Sequence, residues 1–197
     1  MIDRHSILVV AATARELATP DGWRTLLCGV GPVEAAAATA VALATHKASA
    51  ILHVGIAGAR RACALAPASL VIGRESRYSD LSVPAAWAPS VVSPPEWLRV
   101  AVQRVLPLAT ILAIGTSARV GGSSDCDVEA MEGFGVVRAA QLAGVPAIEV
   151  RAISNDIEES DRTRWHFDRA FDAICAATPV IVAAMLKAMN TTTHSHA

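Results

Sequence analysis

The sequence is poor in most of the features that would assign it quickly. Aromatic residues make up 4% of its 197 residues, with a single tyrosine, and the formal net charge is only -1. Stacking platforms are few and the scattered arginines give no basic face, which argues against nucleic acid as a partner. The four cysteines, Cys28, Cys63, Cys126 and Cys175, lie far apart with no CxxC pair and no histidine at metal-ligand spacing. Neither a disulfide framework nor a zinc site is expected, and the thiols should be reduced. No GxGxxG follows Gly29-Val30-Gly31, so a dinucleotide site is not indicated. Apolar residues reach 53% and charged residues only 18%, yet no apolar run approaches the ~18 consecutive residues of a membrane span. The first residues, Met1-Ile2-Asp3-Arg4-His5-Ser6, lack the order of a signal peptide. The composition therefore points to a cytoplasmic protein with a small-molecule ligand, no membrane partner and a buried subunit interface.

What is present is a regular alternation. Ile7 to Ala11, Trp23 to Cys28, Ala50 to Val54, Leu70 to Tyr78, Ile111 to Thr116 and Ala147 to Ile153 read as buried strands. Pro32 opens an alanine-rich helix at the position where a missing N–H does least harm. Further helices are predicted over Glu96 to Leu106, Glu129 to Ala143 and Asp161 to Met189, the last with a break at Pro179. Gly55 to Gly58 reads as the turn that ends the third strand, and 79–97, with Pro84, Pro89, Pro94 and Pro95, as a loop and candidate lid. The predicted fold is α/β, a three-layer α/β/α arrangement around a central mixed, mostly parallel sheet. One domain over 1–190 is expected, followed by a disordered polar tail at 191–197.

Two strings carry chemistry. In Val128-Glu129-Ala130-Met131-Glu132-Gly133, Glu132 stands at the start of a helical run, where a carboxylate can accept hydrogen bonds from a vicinal diol; taken alone it is also an ordinary first-turn glutamate. In Val150-Arg151-Ala152-Ile153-Ser154-Asn155, polar groups leave a buried strand at the end where open α/β sheets hold ligands. Asn155-Asp156 taken alone would be a common turn.

With these strings, Gly29-Val30-Gly31-Pro32-Val33-Glu34-Ala35-Ala36, Val54-Gly55-Ile56-Ala57-Gly58 and Glu75-Ser76-Arg77-Tyr78-Ser79-Asp80 occur in the order seen in the nucleoside phosphorylase and nucleosidase superfamily, which the chain resembles over residues 5 to 190. Within it, Glu129-Ala130-Met131-Glu132-Gly133, the Asn155 that follows Arg-Ala-Ile-Ser, and Asp161-Arg162-Thr163-Arg164-Trp165 are similar to the futalosine hydrolases. The resemblance implies a nucleoside phosphorylase-like fold, a purine nucleoside as substrate and a homodimer or larger homo-oligomer. It also implies hydrolysis of an N-ribosidic bond without metal or organic cofactor.

By the same resemblance Glu16 holds the attacking water, Glu132 grips the ribose and Met131 packs beneath it. Arg151 lies near the water and Glu132, or serves as a buried ion-pair partner. Ile56, Ala57, Gly58, Val120 and Ser154 line the substrate, and Trp165 closes over the base or the 5′ extension, unless it is a core or interface tryptophan. Phosphorylases carry a phosphate loop where Ala11-Ala12-Thr13-Ala14 has no glycine, which favours water over phosphate. Asn155 replaces the Asp of adenine-specific nucleosidases, and its amide can donate to the O6 and N7 acceptors of hypoxanthine. It cannot protonate the leaving base, so departure as an anion, solvent and Asp156 remain open. Arg119 and Arg162 are candidate partners for a substrate carboxylate. The competing readings are a nucleosidase or phosphorylase for another purine nucleoside, such as methylthioadenosine or aminofutalosine, and a non-catalytic nucleoside-binding protein.

Overall fold

A computed structural model describes residues 2–121 and 124–194, with side chains through residue 191. The described residues form eight strands: β1 (Ile7–Ala11), β2 (Arg24–Leu27), β3 (Ala50–Ala59), β4 (Leu70–Tyr78), β5 (Val91–Val92), β6 (Thr110–Thr116), β7 (Val128–Ala130) and β8 (Ala147–Asp156). The helices are α1 (Pro32–Thr45), α2 (Glu96–Val105), α3 (Gly133–Leu142) and α4 (Phe167–His194). β1 is buried at every position and β8 at all but its last, as expected of strands covered on both faces.

Parallel pairing joins β1 to β2 and β3, β3 to β8, and β6 to β4 and β7. β3–β7, β4–β8 and β4–β5 are antiparallel. The sheet is therefore mixed and mostly parallel, as the alternation predicts. The pattern does not reveal that it closes on itself: β8 bonds both β3 and β4, so the path β3–β8–β4–β6–β7 returns to β3. Closure gives each of these five strands a partner on both sides over part of its length and gathers the ends of β3, β7 and β8 at one rim.

Helices cover both faces. On one side Ala35 of α1 and Phe134, Val136, Val137 and Ala140 of α3 pack on Leu8, Val10 and Ile51. On the other, Leu98 and Val102 of α2 and Ile174, Ile181 and Met185 of α4 pack on Ile7, Val9, Leu52, Val54 and Val150. Residues Phe167–Thr191 are long and apolar enough to cross a membrane, with a mean hydropathy of 1.6. Ala170, Ile174, Ala177, Ile181, Met185 and Met189 nevertheless fall three to four residues apart and are buried against the sheet, the stripe of a core helix.

The structure corrects several boundaries. β3 continues through Gly55 to Ala59 and β8 runs to Asp156, because the two strands stay paired where the glycines suggested a turn. Val128–Ala130 is a strand, not the first turn of α3; pairing with β3 and β6 on its two sides overrides the helix preference of Glu-Ala. Within 79–97, Val91–Val92 forms β5. α4 starts at Phe167 after a separate 3-10 turn, Arg162–Arg164. It passes Pro179 unbroken, at a position exposed to solvent, and extends through 191–194, which the sequence assigned to the polar tail. Residues 195–197 of that tail, and residues 122–123 of the turn before β7, lie outside the described residues.

Candidate active site

At the rim where β3, β7 and β8 end lies a cleft of about 290 Å³. Glu16 reaches it from a single 3-10 turn, Ala14–Glu16, just after β1. Its carboxylate is buried and fixed on both sides: Oε2 accepts from the Thr13 N–H (2.8 Å) and hydroxyl (2.9 Å), and Oε1 from the Ile56 N–H (3.1 Å). Glu132 stands at the N-cap position of α3, its side chain turned to the cleft lining and not to the helix N–H groups, with Oε1 accepting from the Gly31 N–H at 3.1 Å. Gly31 has φ +98°, a backbone region closed to most side chains.

Behind these two carboxylates is Arg151, whose side chain is 0% exposed. Its Nε donates to Glu149 Oε1 at 2.8 Å, and one terminal nitrogen lies 3.4 Å from Glu132 Oε2. The same nitrogen is 2.6 Å from His53 Nε2. His53 Nδ1 is 3.0 Å from the Val10 carbonyl, so the proton sits on Nδ1 and Nε2 accepts from the guanidinium. Burial, reinforced by Arg151, holds His53 well below its ordinary pKa, in keeping with a neutral acceptor. Burial opposes the charge of Arg151 itself, but Glu149, Glu132 and Glu16 outweigh it and raise its pKa. Burial raises the Glu132 carboxyl above 4.5, with Arg151 opposing. Cys28, beside the same groups, is pushed up to about 12, by burial first and then by Glu132; it is a neutral thiol and no nucleophile.

Small residues make this packing possible. A Cβ on Gly133 would fall inside the Glu149 carboxylate, and one on Gly55 would collide with Arg151 and Glu16. Glu149 also accepts from the Ser76 hydroxyl.

The far end of the cleft is shaped by a bulge. The β3–β8 register passes from Ala57–Ile153 to Gly58–Asn155, so Ser154 is the extra residue, and the bulge re-aims Asn155 at the rim. The Asn155 amide is fixed: Oδ1 accepts from Ser154 Oγ (2.7 Å) and Nδ2 donates to the Asp156 carbonyl (2.9 Å). Asn155 lines the cleft, and the bond to Asp156 uses one of the two N–H donors of its amide. Asp156 alternates to the other side of β8 and pairs with Arg61 (3.1 Å).

No protein-family model matches the chain. A futalosine hydrolase of Streptomyces coelicolor (strain ATCC BAA-471 / A3(2) / M145) is 33% identical to it, covering 82% of this chain and 81% of that protein. The chain belongs to the futalosine hydrolase family. Among solved structures, a 5′-methylthioadenosine/S-adenosylhomocysteine nucleosidase from Colwellia psychrerythraea 34H, in complex with adenine, superposes with a TM-score of 0.80 at 16% identity. That match covers 91% of this chain and 95% of the nucleosidase. The futalosine hydrolase of Helicobacter pylori strain 26695 gives 0.78 at 15% identity, covering 90% and 97%. At these identities the two structures share the fold with this chain, which bears out the nucleosidase-like architecture.

In this member of the futalosine hydrolase family, Glu16, Ile56, Ala57, Gly58, Val120, Met131, Glu132, Ser154, Asn155 and Trp165 all line one cleft. Arg151 does not; it stands behind the wall and reaches the site through Glu132. Trp165 begins an aromatic side continued by Phe167 (centroids 5.4 Å apart) and Phe171, and its indole N–H donates to the Glu159 carbonyl (2.9 Å). Arg119 lines the cleft, whereas Arg162 lies 5.6 Å over the Trp165 ring. The sequence reading did not single out His53 and Glu149, although a histidine or glutamate inside an otherwise apolar strand is the available signal. It also assigned no role to Thr13 or Glu129, which line the cleft.

Gly133→Ala is expected to displace Glu149 from Arg151 and destabilise the protein by roughly 2–4 kcal/mol in urea unfolding. An unchanged midpoint would show that the carboxylate is not confined there.

Proposed function

We propose that this protein hydrolyses the N-glycosidic bond of futalosine, releasing hypoxanthine and dehypoxanthine futalosine in the futalosine route to menaquinone. The observation that carries the reading is the pairing of kinship with the Streptomyces enzyme and an Asn155 amide that lines the cleft with one N–H donor beyond its bond to Asp156. That donor suits the O6 and N7 acceptors of a 6-oxopurine.

In this reading Glu132 accepts hydrogen bonds from the ribose 2′- and 3′-hydroxyls and stabilises the positive charge that develops on the ring as the bond to the base lengthens. A water attacks C1′ from the face opposite the base. Its oxygen bonds to C1′, its proton passes to Glu16, and the bonding pair leaves with the purine. Glu16 suits this role because three donors hold its carboxylate in one orientation. The segment after β1 keeps its side-chain and backbone donors for that carboxylate, which supports water rather than phosphate as the nucleophile. Asp156, committed to Arg61 on the other side of β8, is set aside as the proton donor. The base departs as an anion hydrogen-bonded to Asn155 and takes its proton from solvent. Arg119 is the candidate for the substrate carboxylate.

The working form is a single nucleosidase domain assembled as a cytoplasmic homodimer or larger homo-oligomer. The apolar side chains of Leu27, Val30, Val33 and Val41, exposed on and beside α1, support such an interface.

Incubation with futalosine, aminofutalosine, inosine and methylthioadenosine, with and without phosphate, should release hypoxanthine from futalosine at a phosphate-independent rate. Phosphate-dependent release, or adenine from aminofutalosine with no hypoxanthine from futalosine, would contradict the reading. Glu132 must be ionised to grip the diol, and burial raises its pKa. The acid limb of kcat/KM should accordingly fall above pH 4.5, with activity lost as pH drops through it. A limb at or below 4.5 would remove Glu132 from that role.

A further inference from the structure

The turn that carries Glu16 opens with Thr13, and Thr13-Ala14-Arg15-Glu16 has the spacing of a helix-start box, a threonine followed three residues later by a glutamate. Such a glutamate ordinarily reaches back to the backbone N–H of the capping residue and ends there. Glu16 makes that reach, to the Thr13 N–H. The helix it opens is only three residues long, and the carboxylate continues across to β3 at Ile56.

The donors are shared unequally between the two oxygens. Oε2 accepts from both the Thr13 N–H (2.8 Å) and the Thr13 hydroxyl (2.9 Å), whereas Oε1 accepts from the Ile56 N–H alone (3.1 Å). A carboxylate has about four lone-pair positions, roughly two on each oxygen. Oε2 is therefore filled by Thr13, and Oε1 keeps one position. Thr13, Glu16 and Ile56 all line the cleft. Thr13 is exposed there while Glu16 is buried, so a change at Thr13 reaches the carboxylate without opening the core.

We propose that Thr13 is a positioning residue for the hydrolysis: its two donors occupy Glu16 Oε2, which makes Oε1 the atom that takes the proton of the attacking water. This assignment rests on the reading of Glu16 as general base and deepens it. In the step itself the water oxygen bonds to C1′, the bond from C1′ to the base breaks with its electron pair on the purine, and the proton passes to Oε1. Holding Oε2 from the backbone and the side chain of one residue fixes the plane of the carboxylate. Of those two donors, the hydroxyl is the one a substitution removes. A carboxylate free to turn away from the water loses proton transfer, whereas the contacts that bind the nucleoside lie on other walls. The effect therefore belongs to kcat and not to KM.

Steady-state kinetics of the full chain with futalosine provide the test. In Thr13→Val, which nearly keeps the shape and lacks the hydroxyl, kcat should fall about 10-fold with KM within ~3-fold of wild type. Thr13→Ala, which also lacks the donor, should behave in the same way, and Thr13→Ser, which restores it, should recover most of the rate. Were Oε2 the proton acceptor, loss of the hydroxyl would free a lone pair for the water, and kcat of Thr13→Val would hold or rise. That result, or a loss that Thr13→Ser shares in full, would overturn the proposal. The readings beneath it fail with other signatures: a wild type that releases no hypoxanthine from futalosine removes the substrate, and wild-type kcat in Glu16→Gln removes the general base.

Discussion

The guanidinium of Arg151 lies fully buried among the carboxylates of Glu149, Glu132 and Glu16, and the arrangement of the cleft follows from keeping it satisfied. Removing ions from water costs several kcal/mol each, and only close, well-directed partners offset that. The chain brings the network together from four elements: Glu149 and Arg151 from β8, His53 from β3, Glu132 from the start of α3, and Glu16 from the turn after β1. The space they need comes from glycines at Gly55 and Gly133. A site assembled this way is rigid before any substrate arrives, which is the condition for electrostatic stabilisation without reorganisation during the reaction.

The balance of charge suits the chemistry proposed. One cation among three carboxylates leaves the cleft end negative, and an N-ribosyl bond breaks through a cationic ring. In the proposed reaction each wall handles a different part of the substrate, Glu16 the water, Glu132 the diol and Asn155 the purine, while Trp165, Phe167 and Phe171 line an apolar side of the cleft. The neutral His53 ring has no proton to spare for catalysis. Its Nδ1–H is spent on Val10 and its Nε2 on Arg151, so it orients the guanidinium.

Much of this was legible in the sequence, for physical reasons. Buried parallel strands write themselves as continuous apolar runs, so β1, β4, β6 and the body of β8 could be read directly. The site positions singled out, apart from Arg151, Asp156 and Arg162, line the cleft, because most of the strings that carry them sit at strand ends and helix starts. The ring closure was not legible. It depends on β7, three residues long, and on β8 serving two partners at once, neither of which leaves a periodic trace. Gly55 and Gly58 read as a turn for a related reason: glycine marks both turns and close approach, and only the neighbouring strand decides which. Glu149 and His53 were passed over because a polar residue in an apolar run declares itself only when its partner, here Arg151, is placed beside it.

Unfolding free energy of Arg151→Met as a function of pH tests the central role of this network most directly. Without the guanidinium, Glu132 and Glu149 are left buried and unpaired, so the variant should be roughly 3–5 kcal/mol less stable than wild type near pH 7.5. The deficit should shrink as pH falls and Glu132, whose pKa burial raises, takes up a proton. A loss that is independent of pH, or no loss at all, would contradict the view that Arg151 holds the cleft together through its carboxylates.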